Sequence, residues 1–193
     1  MSRPSDYRLI LPENWHRIDL EPGACEPGIA RLTDRQFRGI DNAPHLKRQA
    51  RDELLKAARN AYGNGGIEMY LSLQTAAGFP LSASLIVTLT PPHEDGDVNV
   101  SPQRLAESMS GDDAQVTLAS LPAGPAVRVR RRTAPGENGG TGYRSAVTNL
   151  DIHVPVPGSG AYLILSFSTP LDLLADAMAG LFDAIAGTLR WIP

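Results

Sequence analysis

The chain carries a single cysteine, Cys25, in 193 residues. One thiol makes no intrachain disulfide and no thiolate metal cluster, so neither device holds this fold together. Lysine is nearly as scarce. Of 18 basic residues only Lys47 and Lys56 are lysines, and the rest are arginines. That excess, with 16 prolines and 18 glycines, points to a GC-rich bacterial genome and says nothing of function. No window approaches about 18 consecutive apolar residues, so no transmembrane segment is expected. The N-terminal MSRPSDYRLI has neither an apolar run nor a lipobox cysteine, which makes a cytoplasmic location the expectation. Positive charge is not in excess either. The formal net charge is −3 and the pI about 5.8, which argues against a general nucleic-acid binder. No G-x-S-x-G elbow, Walker loop, G-x-G-x-x-G or H-E-x-x-H is present. The expectation is therefore no cofactor, no metal and no catalytic residue.

What is present is a well-patterned chain. Its length suits a single domain spanning residues 1–193, large enough to bury roughly 70% of its unfolded surface. The clearest stretch is 160–193. Ala161, Leu163, Leu165 and Phe167 alternate with Tyr162, Ile164, Ser166 and Ser168, which predicts a strand covered on both faces at its start and central in its sheet. Thr169 and Pro170 read as N-cap and first residue of a helix. Leu171, Leu174, Met178, Leu181, Phe182, Ile185 and Leu189 then recur at three- and four-residue spacing as one apolar stripe. Gly180 and Gly187 within it are expected where the helix approaches the sheet closely. Trp191 and Ile192 are expected to close the lower edge of the core.

Upstream, Tyr7–Leu11 predicts a short strand, Pro12–Asn14 a turn, and Trp15 a buried anchor. Residues 21–28, EPGACEPG, read as a Pro/Gly connector, with room for a short helix over 29–39. Asn42 is placed to cap a longer helix ending at Gly63, whose charged face, from Lys47 to Arg59, reads as solvated. Ile67–Thr75 and Leu81–Thr90 form two strands joined by AAGFP as a hairpin. Ser101 and Pro102 start a short helix by cap logic. Strands follow at Gln115–Leu121, Val127–Thr133 and Tyr143–Val156, with Pro155 and Pro157 marking an edge or bulge. Strands outnumber helices and the links are short. This predicts an α+β domain, a largely antiparallel β-sheet sandwiched by helices.

The Pro12-Glu13-Asn14-Trp15 turn after an opening strand, and the closing FSTP…LFDAIAGTLRW, carry a resemblance. The chain resembles the PsbP-like α/β/α sandwich family, to which actinobacterial LpqN-type proteins and the Ran-binding Mog protein are similar in architecture. The resemblance implies a mainly non-enzymatic binding or adaptor role and supplies no catalytic residues.

Four groups of residues were weighed for chemistry. Asp95, Asp97, Asn99 and Ser101 have the alternate spacing of a calcium loop, but Val100 replaces the required glycine and Ala106 the closing glutamate, so a solvated acidic loop is expected. Cys25 and His16 suggest a nucleophile and base, yet Cys25 sits in the connector with no helix N-terminus evident to lower its pKa. Asp151 and His153, two apart on a strand, share a face and with His93 form a conceivable metal or acid/base site. Arg128, Arg130 and Arg132 line one strand face, suited to an acidic protein, a phosphate or an anionic lipid head, or else paired with carboxylates on neighbouring strands. The expected function is thus a non-enzymatic cytoplasmic interaction module, an adaptor, chaperone or accessory factor. Its binding residues are Arg128, Arg130, Arg132, Asp151 and His153, and its partner is another protein of acidic character, not nucleic acid. The alternatives are a small-molecule or lipid-head-group binder, and an enzyme built on Asp151 and His153.

Overall fold

The computed structural model describes residues 4–38, 44–76, 79–91, 101–134 and 146–193. The chain opens with β1 (Asp6–Arg8) and β2 (Trp15–Asp19), followed by α1 (Cys25–Gln36) and α2 (Pro44–Gly63). Next come β3 (Gly66–Ser72), the two-residue strands β4 (Thr75–Ala76) and β5 (Phe79–Pro80), and β6 (Ser84–Thr90). After α3 (Pro102–Met109) run β7 (Ala114–Leu121), β8 (Gly124–Thr133), β9 (Val147–Pro155) and β10 (Tyr162–Thr169). A 3-10 turn (Asp172–Leu174), α4 (Ala175–Ala186) and β11 (Arg190–Ile192) complete the chain. Seven strands form one sheet in the order β2-β3-β6-β10-β9-β8-β7, every neighbouring pair antiparallel. β1 pairs with β11 in a separate ribbon.

Helices cover both faces, which makes the expected α+β sandwich the observed fold. On one face, Leu85, Val87, Leu150, Ile152, Leu165 and Phe167 meet Met178, Phe182 and Ile185 of α4. Phe167 and Phe182 stack with centroids 4.8 Å apart and rings inclined by 14°. Burial of side chains this size stabilises by about 1.5–3 kcal/mol each, so α4 is held mainly by its apolar stripe. On the other face, Ile18, Leu20 and Met69 of β2, its following turn and β3 pack with Cys25, Ile29 and Leu32 of α1 and with Ala58 and Ala61 of α2. α3 lies along β7 and β8. The charged face of α2 is largely exposed, with Lys47 tied to Asp34 of α1 at 2.8 Å. As the alternation in 161–168 predicts, β10 is central, between β6 and β9.

The structure departs from the sequence reading at several junctions. Residues 21–28 are not all connector, because α1 begins at Cys25 and runs through Pro27 and Gly28. Pro27 falls in the first turn, where a missing N–H costs no intrahelical bond. Thr169 does not cap a helix. It ends β10 opposite Thr148, donates to the Ser82 carbonyl at 2.8 Å and accepts from the Leu171 N–H at 3.3 Å. α4 starts only at Ala175, so Leu174 lies outside the stripe and is exposed. Gly180 faces open space rather than the sheet. The close approach belongs to Gly66, where a β-carbon would stand 2.7 Å from the Ala61 carbonyl oxygen at the end of α2. AAGFP is the expected hairpin connection, and Thr75 with Pro80 and Ala76 with Phe79 add a small antiparallel ribbon of their own within it. Pro155 is the last residue of central β9, beyond the last residue paired with β8, so its missing N–H breaks no ladder. Ser101 caps α3 as expected, its Oγ accepting from the Arg104 N–H at 3.3 Å. Asn42, His93 and the loop positions Asp95, Asp97 and Asn99 lie outside the described residues.

Candidate functional site

Three of the four arginines of β8, Arg128, Arg130 and Arg132, face α4. Arg128 donates through Nε and Nη2 to the two carboxylate oxygens of Asp183, at 2.8 and 3.1 Å. Arg130 Nη2 reaches Asp176 Oδ1 at 2.7 Å, and Arg132 grips both oxygens of Asp172 at 2.9 Å. Alternate strand residues are about 6.6 Å apart, and four helical residues span about 6 Å, so a strand with arginine at every second position matches carboxylates spaced along one helix side. The acidic partners lie on the closing helix and its lead-in turn, not on neighbouring strands. The Arg132 guanidinium holds the Asp172 carboxyl below its ordinary range, and Asp172 in return raises Arg132. Sequence reasoning singled out the arginines and did not pair them with Asp172, Asp176 and Asp183. Their spacing of four and seven was the available signal.

Asp151 and His153 lie on the opposite face of the sheet. The register sets Asp151 between Val129 and Ser166, and His153 between Val127 and Ile164. Val127, Val129 and His153 are buried, while Asp151, Ser166, Ile164, Ile86 and Thr88 are half-buried. These half-buried positions floor the stretch of sheet between α1 and α2 on one side and α3 on the other. Arg131, on this face because it alternates with Arg130 and Arg132, approaches Asp151 at 3.6 Å. Burial pushes the His153 pKa down; Asp151 opposes that shift and Arg131 adds to it. His153 is therefore a neutral imidazole at physiological pH.

Cys25 is the first residue of α1, contrary to the connector reading, yet its environment is not activating. Burial pushes its thiol up, and Sγ donates to the adjacent Glu26 carboxylate at 3.4 Å. Trp15 is half-buried against the α4-side core. The LPENW turn owes its shape to Asn14, which adopts φ +67 and offers its carbonyl to the Leu73 N–H at 2.9 Å.

A recess that sequence reasoning missed opens between the β1–β11 ribbon and the sheet. Tyr7, Ile67, Leu89, Val156, Leu163 and Trp191 line about 240 Å³ of space. Its rim residues Ile67 and Leu89 are 38% and 42% exposed. Trp191 is fixed by its indole N–H, which donates to the Ala123 carbonyl at 2.9 Å, so it does more than close the core's lower edge. Tyr7 is fixed by Glu68. That one carboxylate accepts from Tyr7 Oη at 2.7 Å and Tyr70 Oη at 2.6 Å and pairs with Arg17. Burial raises both phenol pKa values, and the bond to Glu68 raises them further. The recess joins residues from both ends of the chain, so no local pattern announces it.

No helix among the described residues is long and apolar enough to cross a membrane. No protein-family model and no curated protein sequence matches the chain. Among solved structures, cyanobacterial PsbP (CyanoP) from Synechocystis sp. PCC 6803 is similar at 14% identity and a TM-score of 0.48, over 98% of this chain and 91% of that one. LpqN of Mycobacterium tuberculosis, involved in cell envelope biogenesis, is similar at 14% identity and a TM-score of 0.46, over 97% and 83%. The Ran-binding protein Mog1p of Saccharomyces cerevisiae follows at 11% identity and a TM-score of 0.48, over 96% and 90%. The likeness is one of layered architecture, PsbP-like and LpqN-like, spread over nearly the whole chain.

Proposed function

We propose that this protein is a non-enzymatic, cytoplasmic protein-interaction module that receives an apolar side chain of a partner polypeptide in the recess beside Trp191. The observation that carries the reading is the recess itself: an apolar floor of Leu163, Val156 and Trp191 under a rim of exposed Ile67 and Leu89. Aliphatic side chains exposed around an apolar hollow are a common mark of interaction surfaces. At about 240 Å³ the space suits one large side chain and falls short of the roughly 300 Å³ at which drug-sized ligand sites begin. The anchor is therefore apolar. Arg128, Arg130 and Arg132 serve to hold α4, and Asp151 and His153 belong to the sheet floor.

The test is a selection of displayed random peptides on the wild-type protein, followed by affinity measurement on Ile67→Glu/Leu89→Glu. Both residues are on the exposed rim, so the variant keeps the core. Peptides with an aromatic or large aliphatic anchor are expected to enrich and to lose at least about tenfold in affinity, or about 1.4 kcal/mol, on the variant. No enrichment, or equal affinity for both proteins, overturns the reading.

A further inference from the structure

The sheet ends on β7, whose outer side among the described residues is met only at its first residue, where the Ala114 N–H donates to the Gly111 carbonyl at 3.2 Å. β7 is long and regular, its register with β8 unbroken from Ala114 opposite Arg131 to Leu121 opposite Gly124. Its sequence, AQVTLASL, contains no charge, no proline and no glycine. Those are the devices by which edge strands ordinarily discourage pairing. The opposite edge strand, β2, is shorter and carries Arg17 and Asp19. We propose that β7 is the site at which a second copy of this chain adds to the sheet, joining two seven-stranded sheets into one across a two-fold axis. This inference is independent of the recess, which involves neither β7 nor β8.

The register follows from the hairpin. Leu121 and Gly124 flank a two-residue turn and form the hydrogen-bonded closing pair, so odd-numbered residues of β7 bond to β8. Pro125 agrees with this, since it has no N–H and stands opposite Ser120, an even-numbered position. The N–H and C=O groups of even-numbered residues therefore point outward; Ala114 is taken by Gly111, and those of Val116, Leu118 and Ser120 meet the open edge.

For two copies to form a continuous sheet with matching faces, the two-fold axis must pass through a residue. Centred on Thr117, it sets Val116 opposite Leu118 in both directions, and the pairing runs out where Gly111 already holds Ala114. The outward groups of Val116 and Leu118 all find partners, about four main-chain hydrogen bonds in all. Leu118, 53% exposed at the middle of the strand, gains an apolar cross-strand neighbour in Val116 of the mate. Thr117 meets its own copy, and no charged side chain faces a like charge within the strand pair. α3, which lies along β7 and β8 and has no buried residue of its own, is placed to extend the contact beyond the strands. A strand of foreign sequence satisfies the main-chain groups equally well, but the pairing of Leu118 with Val116 and the absence of charge favour the chain's own copy.

Sedimentation over a concentration series tests this, with Leu118→Lys and two cysteine variants. The wild type is expected to move from 20.7 kDa to twice that mass as concentration rises. Leu118→Lys is expected to stay monomeric. Thr117→Cys places two thiols across a non-hydrogen-bonded pair, about 4.5 Å between α-carbons, within disulfide reach. Mild oxidation should cross-link it, while Gln115→Cys, opposite Ala119 of the mate, should not self-link. A chain that remains at 20.7 kDa up to its solubility limit overturns the proposal. So does a dimer that survives Leu118→Lys, or one in which Gln115→Cys links and Thr117→Cys does not.

Discussion

Arg128 and Asp183, 55 positions apart in sequence, are joined by two parallel hydrogen bonds that bind the middle of β8 to the end of α4. Arg132 makes the same two-bond contact with Asp172 and Arg130 a single bond to Asp176, so the strand stripe and the acidic stripe run in opposite directions and close on one another. The Arg128–Asp183 pair, shielded on its arginine side, contributes about 0.2–1 kcal/mol, and the more exposed pairs less. Reversing all three arginines to glutamate removes the attractions and sets like charges face to face. Melting temperature is expected to fall by about 5–10 °C, given about 2–4 °C per kcal/mol at this chain length. Adding Asp172→Arg, Asp176→Arg and Asp183→Arg to that variant should restore most of the loss. A triple reversal that leaves melting unchanged would show that the pairs contribute nothing.

Glycine substitutions should separate tight positions from open ones. Gly180→Ala adds a methyl to a helix interior with nothing within 4 Å, so chemical denaturation should show a gain of about 0.5–1 kcal/mol. Gly66→Ala drives a methyl against the Ala61 carbonyl and should cost about 1–3 kcal/mol. The sequence reading placed the close approach on the C-terminal helix, because periodicity shows that a glycine lies in a helix but not what stands across from it.

Several groups make stability depend on pH in the same direction, His153 and Asp172 among them. Burial lowers the His153 pKa, and Arg132 lowers that of Asp172. In each case the unfolded chain binds the proton more tightly, so stability rises with pH through the window between the two states' pKa values. Melting temperature should fall as pH drops below about 6.5, where unfolded histidine takes up a proton, and again below about 4, where aspartate does. His153→Gln should shrink the upper step, to which His16, also lowered by burial, contributes, and leave the lower one. An unchanged upper step would remove His153 as a source of it.

The Glu68 cluster predicts that two of the five tyrosines resist ionisation. Tyr7 and Tyr70 both give a hydrogen bond to the same carboxylate, and deprotonating either sets two anions side by side. An absorbance titration of phenolate should show both ionising above the ordinary tyrosine range. Glu68→Gln should bring them down toward it and loosen the β1–β11 ribbon, seen as faster amide exchange at Tyr7 and Trp191. No change in the titration would mean that burial alone sets these values.

Most elements, their order and the sandwich class were legible in the sequence, β2 and the short β11 excepted, because two-residue and 3.6-residue periodicities are local properties of strand and helix. The alternation in 161–168 announced the central strand, and Ser101-Pro102 the start of α3. Helix onset was less legible. Thr169-Pro170 carries the same cap signature as Ser101-Pro102, but Thr169 is held in the ladder opposite Thr148, and that tertiary bond overrides the local preference. What only the folded chain decided was which surfaces face one another. The arginine stripe was visible, but its three carboxylates lie 40 to 55 residues away on another layer. The recess joins Tyr7 to Trp191 through a ribbon made from both ends of the chain. Periodicity determines which side of an element is apolar or charged. Only packing determines which other element meets that side, because such contacts join residues far apart in sequence.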